Sequence, residues 1–209
     1  MKSIVKCKVL SLDFYDVVFK RRSIRKFREE PIPKETLYRV LDAGRWAPSA
    51  GNLQPWHFII ITDAEVKKRI SHVCTEYSRK HWAVFSSETA RYLAARGGSW
   101  NKSYMAKVPV LIAVCFHTPE KMREELALAS AWCAIENILL AATAEGLGSC
   151  IYTFYNTEEE NRIKEILDVP ENHRIAALIQ LGYSATEPPK PSRKTLKETV
   201  STNTFGHKP

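Results

Sequence analysis

Apolar residues recur along the chain in two rhythms, and the alternation between them lays out the elements. Phe14, Val17 and Val18 follow Asp13, which predicts a short helix capped by Asp13 and ending near Lys20. Leu37, Val40 and Leu41, three and four apart, predict a second helix with Pro33 in its first turn and Gly44 weakening its end. Trp56 to Ile61 is an uninterrupted apolar run, a strand whose lack of alternation predicts cover on both faces. Val66, Ile70 and Val73 mark the inward side of a helix capped by Thr62 or Asp63. Val108 to Phe116 predicts a second strand, with Pro109 near its start where a missing donor is tolerable. Ser149 to Phe154 and Ile175 to Leu181 predict two more, and between them Thr157 with Glu160 reads as a capping box for a helix through Leu167. Strands separated by helices indicate an α/β layered domain.

The longest apolar stretch runs from Leu126 to Ala144. Alanines at 127, 129, 131, 134, 141 and 142 keep it slim enough for close packing. Its apolar circumference requires cover all round, from its own domain or from a second subunit. Glu136 and Asn137 within it argue against a membrane span. Ala47 to Pro55 is too rich in turn formers for a regular element. From Tyr77 to Met105 the periodicity fades, and Trp82, Phe85, Tyr92, Trp100 and Tyr104 alternate with charges and with Gly97-Gly98. Residues 77–105 read either as an excursion partly covering a cleft or as aromatic packing of a surface subdomain. The first ten residues, interrupted by Lys2, Lys6 and Lys8, read as a ragged terminus or an added strand and not as a signal peptide. The run Pro188-Pro189-Lys190-Pro191-Ser192-Arg193 cannot form a helix interior, so residues 188–209 are expected to run as an extended tail.

Length and charge narrow the picture. At 209 residues the chain has material for one substantial core, and a single domain over residues 1–209 is the expectation. A net charge of +8 favours anionic partners without choosing between nucleic acid, a membrane surface and a phosphorylated small molecule. Five cysteines, odd in number and far apart, form no disulfide framework or paired metal spacing, so a reducing, cytoplasmic setting is expected. Cys115 and Cys133 lie in apolar runs and read as small hydrophobes. The six histidines are dispersed without ligand spacing, and no metal site is expected. His57, beside Trp56, reads more readily as core or rim than as a catalyst. Zincin, EF-hand, phosphate-loop and dinucleotide signatures are missing, as is the nucleophile elbow of serine hydrolases.

The densest chemistry is Arg21-Arg22-Ser23-Ile24-Arg25, followed at once by Lys26 and Arg28. Like charges crowded this closely repel. A multivalent anion would offset that repulsion, and guanidinium forks with a serine hydroxyl suit phosphate oxygens. A solvated basic face is the other reading. Asn52 and Gln54 carry amides that both donate and accept, which suits the edge of a planar heterocycle or the fixing of the loop's own backbone.

Together these residues form a pattern. R-R-S-I-R at 21–25, P-S-A-G-N-L-Q-P-W at 48–56, E-G-L-G-S at 145–149 and K-P-S-R at 190–193 resemble the nitroreductase family of flavoproteins, in the family's order. The resemblance implies an α+β fold around a central mixed β-sheet flanked by helices, made as an intertwined homodimer with one FMN at each of two subunit interfaces. It implies that Arg21, Arg22, Ser23 and Arg25 hold the phosphate and ribityl end, with Arg193 and Lys190 approaching the same phosphate. Pro48, Ser49, Ala50 and Asn52 would come from the partner subunit to line the isoalloxazine ring. Gly146, Leu147 and Gly148 would approach the ring's other edge. Residues 126–144 would be the central dimer helix, and 77–105 the family's variable excursion over the pocket. The asparagine that the family often carries on the helix after the first strand is not found between Glu65 and Arg79.

The activity implied is ping-pong transfer of reducing equivalents from NADH or NADPH to a small-molecule electron acceptor, a nitroaromatic, a quinone or a similar conjugated compound. No side-chain catalyst is required, because the cofactor carries the chemistry. One rival keeps the fold and changes the reaction to dehalogenation, flavin fragmentation or enone reduction. Another is a basic nucleic-acid-binding domain, which lacks a reader motif. The expectation is no nucleic acid and no membrane partner.

Overall fold

The computed structural model describes residues 13–82, 104–120, 122–188 and 190–207, with the side chains of residues 81, 82 and 104 outside that description. The predicted N-terminal strand therefore lies outside the described residues. So does most of the 77–105 excursion, including Phe85, Tyr92, Gly97-Gly98 and Trp100.

Helix α1 (Phe14–Lys20) starts where Asp13 accepts a hydrogen bond from Tyr15 N at 3.2 Å. Helix α2 (Lys34–Arg45) has Pro33 as its N-cap, just outside the first turn. Strand β1 (Trp56–Ile61) leads to α3 (Ala64–Trp82), capped by Asp63 through Val66 N at 2.8 Å. A short helix α4 (Tyr104–Lys107) precedes β2 (Val110–His117), and α5 (Glu124–Ala144) precedes β3 (Gly148–Tyr152). Helix α6 (Glu158–Ile166), β4 (His173–Gly182) and α7 (Leu196–Thr199) complete the order. The last corrects the expectation of a wholly extended tail: Thr195 and Glu198 form a reciprocal capping box that closes one helical turn.

The strands lie in the order β1-β2-β4-β3, each antiparallel to its neighbour. Helices between consecutive strands do not force a parallel sheet, so the α/β layered reading of the pattern gives way to the α+β fold that the resemblance implied. What makes the sheet mixed is one parallel bridge, Ser23 to Ser149, at the β3 side. β1 is an edge strand, so Phe58, Ile59 and Ile60 are only half-buried although the run looked central. Alternation along the strands sends Ile112, Val114 and Phe116 under α2 and α5, against Leu37, Val40, Ile135 and Ile138. It sends Leu111, Ala113 and Cys115 to the other face, against Ile70, Val73 and Ile163.

Helix α5 is long and apolar enough to cross a membrane by length and composition, so Glu136 and Asn137 do not exclude a span on that ground. Its place in the core is set by burial: Ala127, Ala131, Ala134, Ile135, Ile138 and Ala142 are fully enclosed. Leu126, Ala129, Trp132 and Cys133 face outward, and Cys133 is therefore not the buried hydrophobe expected from its surroundings. Gly44 does not break α2. It lets α5 approach, because a Cβ there would stand 2.7 Å from Ile138 Cγ1.

The capping box expected at α6 is half present. Thr157 Oγ1 accepts from Glu160 N at 3.4 Å, but the Glu160 carboxylate turns elsewhere. Almost fully buried at 1% exposure, it accepts from Arg174 Nε and NH2, each at 2.8 Å, from Asn156 N at 2.8 Å and from Ile175 N at 3.0 Å. Arg174 also reaches Glu124 and lies over the Tyr155 ring. This network ties α5, α6 and β4 together.

Candidate functional site

α1 ends at Arg21, whose N–H closes on Val17 O at 2.9 Å, and the chain then runs extended toward β3. Ile24 N donates to Ser149 O at 2.8 Å, beside the parallel Ser23–Ser149 bridge. The arginine segment and the glycine turn, far apart in sequence, are thereby laid side by side. Gly148 permits the approach, since a Cβ there would sit 2.7 Å from Ile24 Cγ1 and 2.8 Å from Ile24 Cβ. Gly148→Ala is expected to push the segment off β3 and destabilise the fold by about 1–3 kcal/mol, read from the denaturant midpoint. An unchanged midpoint would contradict the close approach.

The charges on this segment are poorly compensated within the chain. Arg21 Nε stands 3.6 Å from Glu136 Oε1, a half-exposed carboxylate on α5. The Arg22 guanidinium folds back on Phe19 O and Arg21 O, both at 2.7 Å, and Arg25 reaches Ser23 O at 3.3 Å. Among the described residues, no carboxylate pairs with Arg22 or Arg25. Burial pushes the Cys150 thiol up, and Arg25 and Arg21 oppose it, which puts both cationic groups within electrostatic reach of early β3. The Ser149 hydroxyl, 2% exposed, has no hydrogen-bond partner among the described residues, an arrangement usually avoided in a folded interior. Exposed Ser23 stands beside it. Cationic forks without carboxylate partners suit a phosphate, so the residues fit the anionic end of a nucleotide-like cofactor.

The glycine turn is held from behind. Glu145 caps α5, and the Arg39 guanidinium grips its carboxylate with two bonds, at 2.8 Å from Nε and 2.7 Å from NH2. Those bonds, foremost, keep the Glu145 carboxyl below the usual carboxylate range against the opposing effect of burial. Leu147 is buried, with its N–H on Ala142 O at 2.8 Å. Gly146 adopts φ +75°, and a Cβ there would meet nothing within 4 Å. The turn thus presents open backbone where a flat ring could lie.

The Ala47–Pro55 loop is anchored separately. Ala50 N donates to Ser130 Oγ on α5 at 3.1 Å, and Gln54 N donates to Ser49 Oγ at 3.0 Å. Gly51, Asn52 and Gln54 all take positive φ, at 59°, 56° and 48°, which a glutamine adopts only when its surroundings impose it. Pro48, Asn52 and Gln54 are exposed, and Ser49 and Ala50 half-exposed. The loop enters at the β1 start, the sheet end opposite Gly148, so one protomer does not join it to the arginine segment. Nor is the tail docked there: Lys190 and Arg193 are exposed, and among the described residues Arg193 bonds only Ser192 O, at 3.0 Å.

Two open cavities lie elsewhere, one of about 420 Å³ beside Glu30, Lys67 and Pro109 and one of about 690 Å³ beside Tyr38, Trp56 and Phe58. Among the described residues no group of three or more His, Cys, Asp or Glu is placed to hold a metal ion. Sequence reading missed Ser130 and Ser149. The first could have been found as the polar position on α5's buried side, whereas the second depends on a bridge that only the fold reveals.

The chain matches the model of the nitroreductase family over residues 18–183. It is 29% identical over 191 residues to an iodotyrosine deiodinase of Thermotoga neapolitana, covering 91% of this chain and 98% of that one. A crystal structure of an iodotyrosine deiodinase bound to FMN and 3-iodo-L-tyrosine superposes with a TM-score of 0.80 at 28% identity, over 92% of this chain and 100% of the other. An FMN-dependent nitroreductase from Clostridium difficile R20291 gives 0.72 at 26%, over 90% and 98%. With the family model matched over that span, the chain belongs to the nitroreductase family.

Proposed function

We propose that this FMN-dependent oxidoreductase, with NADH or NADPH as co-substrate, removes halogen reductively from a halogenated aromatic substrate of the iodotyrosine type. The observation that carries the cofactor reading is the convergence of Arg21, Arg22, Ser23 and Arg25 with the Gly146–Gly148 turn through the Ser23–Ser149 bridge. Likeness to the iodotyrosine deiodinases along nearly the whole chain supports the choice of reaction over general nitro reduction. When bound, FMN supplies the store of two electrons that this chemistry needs. The aryl–halogen bond breaks as two electrons and one proton are taken up, giving the arene and halide. The chain's part is to hold the phosphate with Arg21, Arg22, Ser23 and Arg25, and to offer the ring edge the Gly146–Gly148 turn, with Gly146 as its open position. Arg193 and Lys190 would join the phosphate once the tail is ordered against a second subunit.

A homodimer completes this reading. The loop bearing Pro48, Ser49, Ala50 and Asn52 emerges at the far end of the sheet, so it would serve the site of another copy. Exposed Phe14, Tyr15 and Phe19 on α1 and Trp132 on α5 supply apolar surface for such a contact. On this reading the dimer is intertwined, with the tail crossing to the partner.

The test is anaerobic: reduced holoenzyme is mixed with 3-iodo-L-tyrosine or a nitroaromatic, and iodide release is compared with nitro reduction. Iodide release well above nitroaromatic turnover is expected. Rapid nitro reduction without iodide release would overturn the dehalogenation reading in favour of a nitroreductase, the reading that the Clostridium difficile structure supports.

A further inference from the structure

Three histidines scattered in sequence are gathered by the antiparallel register. His117 at the end of β2 pairs directly with His173 at the start of β4, with ring centroids 5.4 Å apart. His57 pairs with Cys115 on the neighbouring strand, which puts it on the same sheet face as His117 by the two-residue period. The group sits where the Ala47–Pro55 loop joins β1. There His117 holds one atom twice: its backbone N–H donates to Pro55 O at 3.1 Å, and its ring Nδ1 meets the same oxygen at 3.1 Å. A carbonyl only accepts, so Nδ1 is the donor in this contact. The nearby His173 directs its own Nδ1 to Asn172 Oδ1 at 2.9 Å.

We propose that His117 is a positioning residue for the loop bearing Pro48, Ser49, Ala50 and Asn52, and that the facing His173 makes its hold on Pro55 sensitive to acid. The proposal rests on the reading of that loop as part of an FMN site. The loop needs a firm foot, because Asn52 and Gln54 are held at positive φ and would relax if the end at Pro55 were released. The groups acting on His173 are His117 from β2, His57 from β1 and Lys164 from α6, every one a base and none a carboxylate. Burial first, and then these three neighbours, push the His173 imidazole below its ordinary value. Protonating it sets an imidazolium against the His117 ring and Lys164. That charge facing the His117 ring favours parting the two rings, which loosens the ring's hold on Pro55 O and leaves the backbone bond alone at the loop's foot.

The test measures FMN dissociation from dimeric holoenzyme by flavin fluorescence between pH 5 and 8. It uses wild type, His117→Leu, His117→Asn and His173→Asn, with Arg25→Ala as a control. Losing one neutral hydrogen bond at the loop's foot should weaken FMN binding roughly three- to tenfold in His117→Leu at pH 7.5. His117→Asn, whose amide can replace the Nδ1–H, should restore most of that affinity. Below pH 6.5 the wild type should release FMN more steeply than His117→Asn or His173→Asn. The phosphate's own ionisation near pH 6 affects all variants alike and cancels in the comparison. Wild-type affinity in His117→Leu would overturn the proposal, as would equal defects in His117→Leu and His117→Asn, or identical acid profiles throughout. If His117→Leu binds normally while Arg25→Ala does not, only the positioning role fails. If both bind normally, the FMN-site reading fails with it.

Discussion

Replacing Arg25 with alanine is expected to weaken FMN binding by about ten- to a hundredfold while leaving the thermal midpoint of the apoprotein nearly unchanged. The magnitude follows from removing charge-assisted hydrogen bonds, each worth about 1.5–3 kcal/mol when the partner is an anion. The small effect on folding follows from the surroundings, since among the described residues the Arg25 side chain bonds only Ser23 O. Arg21→Ala should lose similar affinity. Its contact with Glu136 is long and partly exposed, and such pairs contribute about 0–1 kcal/mol to stability. Flavin titration against each variant provides the measurement. Undiminished affinity in both would refute the phosphate-anchor assignment.

The second large effect concerns stability. Arg174→Met should cost about 3–5 kcal/mol, because it strands the Glu160 carboxylate in the interior with only two backbone amides. For a chain of this length that lowers the melting temperature by on the order of 10 °C. In the wild type, burial raises the Glu160 pKa, but the Arg174 bonds and the Ile175 and Asn156 amides outweigh it and hold the carboxyl below its ordinary value. The folded state then binds fewer protons than the unfolded one. This carboxylate's contribution is complete above the unfolded value of about 4.3 and is lost as pH falls through the lower folded value. Without Arg174 the burial effect dominates and the sign reverses, so stability should fall as pH rises above about 4.3. Denaturant unfolding between pH 4 and 7 distinguishes the two slopes. Parallel slopes would show that Arg174 does not set the charge state of Glu160.

Much of the architecture was readable from local pattern. Asp13 and Asp63 cap where their spacing placed them, and Trp56–Ile61 forms the strand with the bounds its apolar run suggested. The strand direction was not readable, because intervening helices are compatible with either sense and only pairing decides it. The same limit hid the histidine group, since His57, His117 and His173 meet only once neighbouring strands run in opposite directions. Glu160 misled because its spacing from Thr157 satisfies a helix cap while its carboxylate answers a stronger demand, the Arg174 fork. At the site, the arginine and glycine motifs stood out in the sequence, but the groups that seat them did not. Ser130 and Ser149 are ordinary serines until the backbone around them is folded.

Helix α5 meets the loop at Ser130 and the arginine segment at Glu136, six residues further on. At 1.5 Å per residue the two fixtures stand about 9 Å apart along the axis. That interval is ruled by the backbone hydrogen bonds of a single rod. Inserting or deleting one residue between them would swing one fixture about 100° around the axis relative to the other. The span from Ser130 to Glu136 therefore admits exchanges of side chain but not of length.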